Sequence, residues 1–441
     1  MIAAIQTAAC GHMLENQIST KQILTRGEHN ISRSRISENA LKVLYRLKNA
    51  GFEGFLVGGG VRDLLLERTP KDFDVSTDAT PEQVKDLFRN CRLIGRRFRL
   101  AHVHFGQEII EVATFRGGQD SEEPHEEREI VDGMIVRDNV FGSMEEDAWR
   151  RDFTINSLFY NIQDFSVVDY VGGVQDLRER RIRIIGDPEL RYREDPVRML
   201  RAIRFAAKLG FHIEGETEEW LYKLQSLLEG VPPARLFEEV IKLFLSGHGE
   251  NTFLLARKYG MYVQLFPQTD ECLETDDDGI MHRFVIKALQ NTDLRVQEGK
   301  PVTPSFIFAV FLWGPISRLK ARYLERGMSE SQAIFAASDA VLSGQSLRVA
   351  IPRRFHSAVR EIWQLQDRLA KPAPKRSLRL LKHPRFRAAY DFMLLRADAG
   401  DVDAELASWW VNFHDANEES REKMLSGLDK GRRRRKRRRR S

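Results

Sequence analysis

From Ser37 onward apolar residues recur at helical spacing, with Leu41, Leu44 and Leu47 in step and Gly51 where a C-terminal cap belongs. The spacing predicts a helix. Phe52 to Val57 then reads as a short strand running into Gly58-Gly59-Gly60, followed by a helix over Val61 to Glu67, punctuation at Pro70 and a second strand over Lys71 to Thr77. Thr80-Pro81-Glu82-Gln83 opens another helix on three agreeing signals: a capping Thr, Pro at N1 and Gln at N3. Arg99 to Phe105 and Glu108 to Phe115, joined through Gly106-Gln107, read as a hairpin. Together these predict an α+β head with a small mixed sheet, ending near residue 165.

After Tyr170-Val171-Gly172-Gly173 the pattern changes to long amphipathic segments at 195 to 209, 216 to 229, 234 to 247 and 251 to 260, with more to about residue 415. The expected order is an unstructured extension over 1 to 30, a head over 31 to 165, a helical neck over 166 to 260, a helical body over 261 to 415 and a disordered basic tail over 416 to 441. Residues 120 to 129 hold six acids and a proline, the signature of a solvated loop, and Lys371 to Arg376 reads as a linker or basic loop.

Composition changes the picture at one point. The 441 residues carry a net charge of +5, yet nine cations stand consecutively at Arg432, Arg433, Arg434, Arg435, Lys436, Arg437, Arg438, Arg439 and Arg440. The remainder has 60 cations against 64 carboxylates, a net charge of −4. A run of this kind attracts a polyanion, which makes nucleic acid the first partner to consider. Cys10, Cys91 and Cys272 are too few and too scattered for a disulfide framework or a cysteine zinc site, which fits a reducing cytoplasm. The longest apolar run, Phe306 to Trp313, is far short of the ~20 residues that span a bilayer, so no membrane role is expected.

The candidate chemistry begins at Asp72-Phe73-Asp74, where a two-residue period puts both carboxylates on one strand face and Phe73 and Val75 on the other. Carboxylates so spaced suit a divalent metal acting at phosphorus. The preceding glycine turn offers backbone amides and a helix start to a phosphate chain, with Arg62 as a cation that bridges to it. It matches neither the P-loop nor the GxGxxG pattern, which argues against a P-loop ATPase and a dinucleotide enzyme. Further on stand Arg150-Arg151-Asp152-Phe153-Thr154-Ile155-Asn156 and then Asp195-Pro196, which cap a helix carrying Arg198, Arg201 and Arg204 on one face opposite Met199, Leu200 and Ile203. Guanidinium planes on one face suit an ordered nucleotide pocket.

In that order, GGGVRD, DFD, a hairpin ending EVATFR, RRDFTIN and EDPVRMLRAIRFAAKLG resemble the tRNA nucleotidyltransferase/poly(A) polymerase family, class II of the polymerase-beta-like nucleotidyltransferases, over residues 30 to about 270. The resemblance implies a nucleotidyltransferase head in which Asp72 and Asp74 hold Mg²⁺ or Mn²⁺, and a helical body over 261 to 415 that holds RNA. It implies nucleotide contacts from Gly59, Gly60, Arg62, Arg151, Asp195, Arg198, Arg201 and Arg204. Two candidates for a third catalytic carboxylate stay open, Glu111 on the hairpin and Asp152 in RRDFTIN.

Leu93 to Val103, with Arg96 and Arg97 as RNA-contacting cations, resembles the bacterial poly(A) polymerase branch. That branch implies template-independent transfer of AMP from ATP to an RNA 3′-hydroxyl with release of pyrophosphate, a role in RNA turnover, and a basic tail that meets RNA or RNA-degradation proteins. The alternatives are a CCA-adding enzyme, a catalytically silent RNA-binding protein and an RNA chaperone acting through the tail. His414-Asp415 lacks the partners of a phosphohydrolase site, and His102 with His104 lacks a third metal ligand, so both pairs read as incidental.

Overall fold

A computed structural model describes residues 21 to 95, 99 to 117, 128 to 131, 134 to 138 and 140 to 438. Two compact units divide the chain after Leu224. In the first, eight strands among the described residues form one sheet: β1 (Gln22–Leu24), β2 (Gly54–Val57), β3 (Asp74–Thr77), β4 (Cys91–Ile94), β5 (Leu100–Phe105), β6 (Glu108–Thr114), β9 (Leu158–Asn161) and β10 (Val167–Asp169). Two further strands, β7 (Arg128–Val131) and β8 (Met134–Asp138), pair only with each other. The order in the large sheet is β1-β10-β9-β2-β3-β6-β5-β4, and β3 runs parallel to β6 while every other pair in that sheet is antiparallel.

The first helix, α1 (Glu38–Asn49), is capped by the Ser37 hydroxyl, which accepts the amides of Asn39 and Ala40. Its buried stripe is Ala40, Val43, Leu44 and Leu47, and Gly51 takes the left-handed conformation just beyond it, with φ +88°. All four residues of β2 are buried, and the chain leaves the strand at Gly58, whose φ of +70° favours glycine. Helix α2 (Gly59–Leu65) starts there. Val57 pairs with Asp74 at the end of the ladder, so β3 begins at Asp74, three residues later than the sequence pattern suggests: beyond the Gly58 turn the segment from Lys71 has no strand to pair with. Helix α3 (Pro81–Leu87) carries the full capping box, Thr80 with Gln83.

Several expectations are corrected. Residues 22 to 24, counted with an unstructured extension, pair with Val167 to Asp169 and close one edge of the sheet. The sheet therefore runs past residue 165. Lys375 and Arg376 sit in a helix (Pro374–Leu381) rather than a linker, because Pro374 at N1 starts it. The arginine tail is helical in a segment spanning Glu418–Arg438, in line with the good helix propensity of Arg and Lys. Of the stretch 120 to 129 expected as a loop, residues 120 to 127 lie outside the described residues, as do Arg96, Arg97, Arg439 and Arg440, while Arg128 and Glu129 pair in β7 rather than forming a loop.

The second unit is helical and is built around buried aromatic residues such as Tyr262, Phe266, Phe308 and Trp363. His414 stacks on Tyr390 at 5.1 Å and hydrogen-bonds its neighbour Asp415, a packing role that needs no metal. Among the described residues no helix is long and apolar enough to cross a membrane.

Candidate active site

Strand pairing gathers the acids. Asp74 is the first residue of β3 and stands beside Glu111 of β6 in the parallel ladder, while Asp72 lies exposed just before the strand. Burial pushes the Asp74 carboxyl up, and the neighbouring charges of Glu111 and Asp72 push the same way against Arg151 and His102, so it titrates at about 6. Glu111 also faces His102 across the β5–β6 ladder, with 3.3 Å between His102 Nε2 and a Glu111 oxygen. Its side chain is 41% exposed and open to a ligand.

The other candidate for third carboxylate has a different setting. Asp152 accepts from Arg201 Nε at 2.6 Å, from the Phe153 amide at 2.8 Å and from the Asn156 side chain at 3.3 Å. Burial alone would raise its pKa, yet the Arg201 charge and these hydrogen bonds outweigh it and hold the carboxyl below the usual range. A carboxylate already satisfied by an arginine is a poor metal ligand.

The glycine turn lies against this acidic edge. A Cβ placed on Gly58 would meet Arg151 Nη1 at 3.6 Å and an Asp74 oxygen at 4.0 Å, and one on Gly60 would meet the Asp72 carbonyl at 3.4 Å. The turn thus lies within van der Waals contact of the carboxylate edge, and at Gly58 it is the positive φ that favours glycine. Arg151 is aimed by Asp147 at 2.8 Å and by the Ser76 hydroxyl at 2.9 Å, and it lies 5.1 Å over the Phe159 ring.

Arg62 is the main departure from the expected pocket. It is 2% exposed and turned inward, its guanidinium donating to Asp63 at 2.6 Å and to the Asn156 side-chain oxygen Oδ1 at 2.6 Å. Lys208 reaches the other Asp63 oxygen at 3.4 Å. Arg62 therefore braces the glycine turn from beneath rather than reaching out to a phosphate. Through Asn156 it joins a chain of contacts to Asp152 and on to Arg201 of the helix Val197–Leu209.

That helix presents its arginines differently from a solvated stripe. Arg198 is held by Glu194 at 2.6 Å, Arg201 by Asp152, and Arg204 packs 4.7 Å over the Phe205 ring, which Arg62 and Arg201 also approach at 5.3 Å. Asp195 caps the helix through the Val197 amide at 3.3 Å. Glu194 is kept below the usual carboxylate range despite its burial, because Arg198 and Arg191 both stand against it. Arg191, missed in the sequence pattern, donates to the carbonyls of Arg150 and Arg151 and so fixes the end of the helix Met144–Arg150. Burial and the Arg198 charge lower its pKa to about 10. Asp147 and Ser76 were missed as well. Only their distance from Arg151 gives them away, and that distance is tertiary.

The chain is 52% identical over 413 residues to poly(A) polymerase I of Salmonella typhimurium, covering 92% of this chain and 89% of that protein. It belongs to the poly(A) polymerase family. The family models agree along its length: the poly A polymerase head domain matches residues 54 to 183, the probable RNA and SrmB-binding site of polymerase A matches 210 to 273, and the polymerase A arginine-rich C-terminus matches 326 to 441. The CCA-adding enzyme of Bacillus subtilis is 36% identical over 241 residues only, 54% of this chain and 58% of that protein. In three dimensions the chain matches the Bacillus stearothermophilus CCA-adding enzyme solved with CTP, at a TM-score of 0.53 and 23% identity over 88% of this chain and 90% of that one. It also matches the Thermotoga maritima CCA-adding enzyme complexed with tRNA, at 0.56 and 20% over 89% and 85%. These two likenesses establish the shared fold.

Proposed function

We propose that the protein is a template-independent poly(A) polymerase, transferring AMP from ATP to RNA 3′-hydroxyl ends with release of pyrophosphate. The observation that carries this reading is the likeness to poly(A) polymerase I along 92% of the chain, where a CCA-adding enzyme matches about half. Asp72 and Asp74 are the metal-binding pair and Glu111 the third carboxylate. The donor set fits a hard cation: two like charges disfavour the ionised form of Asp74 unless a cation joins them. Mg²⁺ keeps waters and substrate phosphates in its shell, so one or two carboxylates suffice to hold it.

A divalent ion on this pair supplies charge neutralisation at the triphosphate and a lowered pKa for the attacking hydroxyl. The chain's own residues orient and hold. Gly59 and Gly60 open α2, whose first amides have no partners within the helix and are available to phosphate oxygens. Arg151, fixed by Asp147 and Ser76 beside Asp74, offsets negative charge there. Asp195 and Arg198 form one wall for the base, and Arg201 and Arg204 define its depth.

RNA 3′ ends and ATP are thus the partners, and RNA turnover the context. The buried free thiols of Cys91 and Cys272 fit a reducing cytoplasm. The test is incubation with an unstructured oligoribonucleotide, Mg²⁺ and each nucleoside triphosphate in turn. Long tails with ATP alone are expected. CTP use that stops after a few additions would mark a CCA-adding activity, and no addition at all a binding protein.

A further inference from the structure

Six side chains of the first unit join end to end and return to the helix they start from. Lys208 reaches one Asp63 oxygen at 3.4 Å, and Arg62 donates to the other from Nε at 2.8 Å and Nη2 at 2.6 Å. Arg62 Nη1 then donates to Asn156 Oδ1 at 2.6 Å, Asn156 Nδ2 donates to Asp152 at 3.3 Å, and Asp152 accepts from Arg201 Nε at 2.6 Å. Arg201 and Lys208 stand about two turns apart on the helix Val197–Leu209. The loop therefore ties α2, which opens at the glycine turn, to that helix at two points. The guanidinium groups of Arg62 and Arg201 both lie 5.3 Å over the ring of Phe205 on the same helix.

Asn156 is the uncharged member of this loop and is 7% exposed. Its partners dictate which way its amide points, since a guanidinium only donates and a carboxylate only accepts. Its backbone is fixed as well: its amide donates to the Phe153 carbonyl at 2.9 Å, and its carbonyl oxygen lies 3.9 Å from where a Cβ on Gly58 would stand. The side chain is thus a spacer, acceptor at one end and donor at the other. Without it, Arg62 and Asp152 are opposite charges facing a gap. Arg62 would compete with Arg201 for Asp152, drawing the glycine turn toward the helix and releasing Arg201.

We propose that Asn156 is a positioning residue for nucleotidyl transfer, holding Arg62 and Asp152 apart and so fixing the glycine turn relative to Arg201. The inference rests on the reading in which the turn holds the phosphates and Arg201 meets the base. In that reading the spacing between them sets where the α-phosphorus stands, and a displacement near 1 Å at a reacting centre costs about 100-fold in rate. The same spacing makes transfer sensitive to which base is bound, because base contacts reach the phosphorus only through a fixed frame.

The test uses the full chain with Asn156→Ala, which removes the spacer, and Asn156→Asp, which keeps an oxygen toward Arg62 but turns a second one on the Asp152 carboxylate. Thr154→Val is the structural control: Thr154, 2% exposed in the same short turn Thr154–Asn156, loses its 2.7 Å hydrogen bond to Asp176, outside the loop. Single-nucleotide addition to an oligoribonucleotide is measured over a range of ATP and of CTP concentrations, with thermal melts alongside. Both Asn156 variants should lower kcat with ATP at least about 10-fold, with KM for ATP within about 3-fold of wild type, the pattern of lost alignment rather than lost binding. Their ATP-over-CTP ratio of kcat/KM should fall at least about 5-fold. Thr154→Val should melt lower yet keep kcat, KM and that ratio within about 2-fold. Wild-type kcat in either Asn156 variant overturns the proposal, and in Asn156→Asp it would reduce the residue to a brace for Arg62. A rise in KM alone overturns it too, as does an equal loss of kcat in Thr154→Val, since folding would then account for both. Arg201→Gln with wild-type kcat and KM would instead fail the nucleotide assignment beneath the proposal, an outcome distinct from failure at Asn156 alone.

Discussion

Arg201 Nε lies 2.6 Å from an Asp152 oxygen, an ion pair in which the acid is 13% and the arginine 33% exposed. This contact gives Asp152 a structural partner and leaves Glu111 as the carboxylate beside Asp74.

The first prediction follows from that pair. Removing Arg201 alone leaves a largely buried carboxylate uncompensated, which costs about 3 kcal/mol, the lower end for a broken buried pair because Arg201 is partly in solvent. Arg201→Gln and Asp152→Asn should each destabilise, and the double variant should lose less than the sum, with a coupling of about 1 kcal/mol or more in denaturant unfolding. Because the folded-state pKa of Asp152 is depressed, this stability is fully present above its unfolded value of 3.8 and is lost as the pH falls further toward the native value. Additive effects at pH 7 would remove the pair from the account.

Glu111→Gln should separate catalysis from folding. The side chain is 41% exposed and its hydrogen-bonding partner is His102, so the unfolding midpoint should stay within about 0.5 kcal/mol of wild type. Turnover should fall by at least ~100-fold, as for loss of an essential group at the reacting phosphorus. Asp152→Asn should show the opposite split, a clear loss of stability with a smaller loss of turnover. Single-nucleotide addition and thermal melts on the two variants decide between the acids. Retained turnover in Glu111→Gln would return the role to Asp152.

Local patterns made parts of this site legible. The Asp72-Phe73-Asp74 alternation, the glycine turn and the Thr80 capping box all act within a few residues, and the structure places each of the turn and box residues as the pattern implies. What sequence spacing does not carry is the parallel register that sets Asp74 beside Glu111, thirty-seven positions away, or the Asn156 bridge between Arg62 and Asp152. For the same reason the three arginines at helical spacing read as one face suited to a nucleotide, with no sign of the acids that hold two of them. Their acids, Glu194 and Asp152, come from a preceding helix and a distant turn. Strand β1 escaped notice because three residues have no period, and only pairing with Val167 to Asp169 defines them.

Asp74 gives a pH-dependent prediction. Its folded-state pKa of about 6 lies above the ordinary 3.8, so the native state binds the proton more tightly. The associated stability is fully present below pH ~4 and is lost as the pH rises through about 6. Above that, the metal-free protein carries an ionised Asp74 pressed against Glu111 and Asp72. Asp74→Asn should therefore raise the melting midpoint of metal-free protein at pH 8, with the gain shrinking to nothing near pH 4. Mg²⁺ at pH 8 should raise the wild-type midpoint and leave the variant unmoved. A variant less stable than wild type at pH 8 without metal would show that the carboxylate is internally satisfied, contrary to the charge cluster described.

The tail offers the last test. Arg432 to Arg440 supplies nine cations where the remainder of the chain has a net charge of −4, and the residues up to Arg438 belong to the helix Glu418–Arg438. Like charges at three- and four-residue spacing repel, so this helical end is stabilised when phosphates neutralise it, and RNA and helix should reinforce each other. Each phosphate neutralised on a single strand adds about 0.7 to the salt slope, which bounds the tail's share at about 6. Deleting 432 to 441 should weaken binding of labelled RNA strongly at low salt and flatten the slope by several units, while the choice of ATP over other nucleotides is unchanged. Tracts made in one encounter should shorten, because the enzyme dissociates sooner. RNA should also raise the helical circular dichroism of full-length protein more than that of the truncated one. Superimposable salt slopes for the two proteins would assign the run to a protein partner, such as an RNA-degradation factor, and remove it from RNA binding.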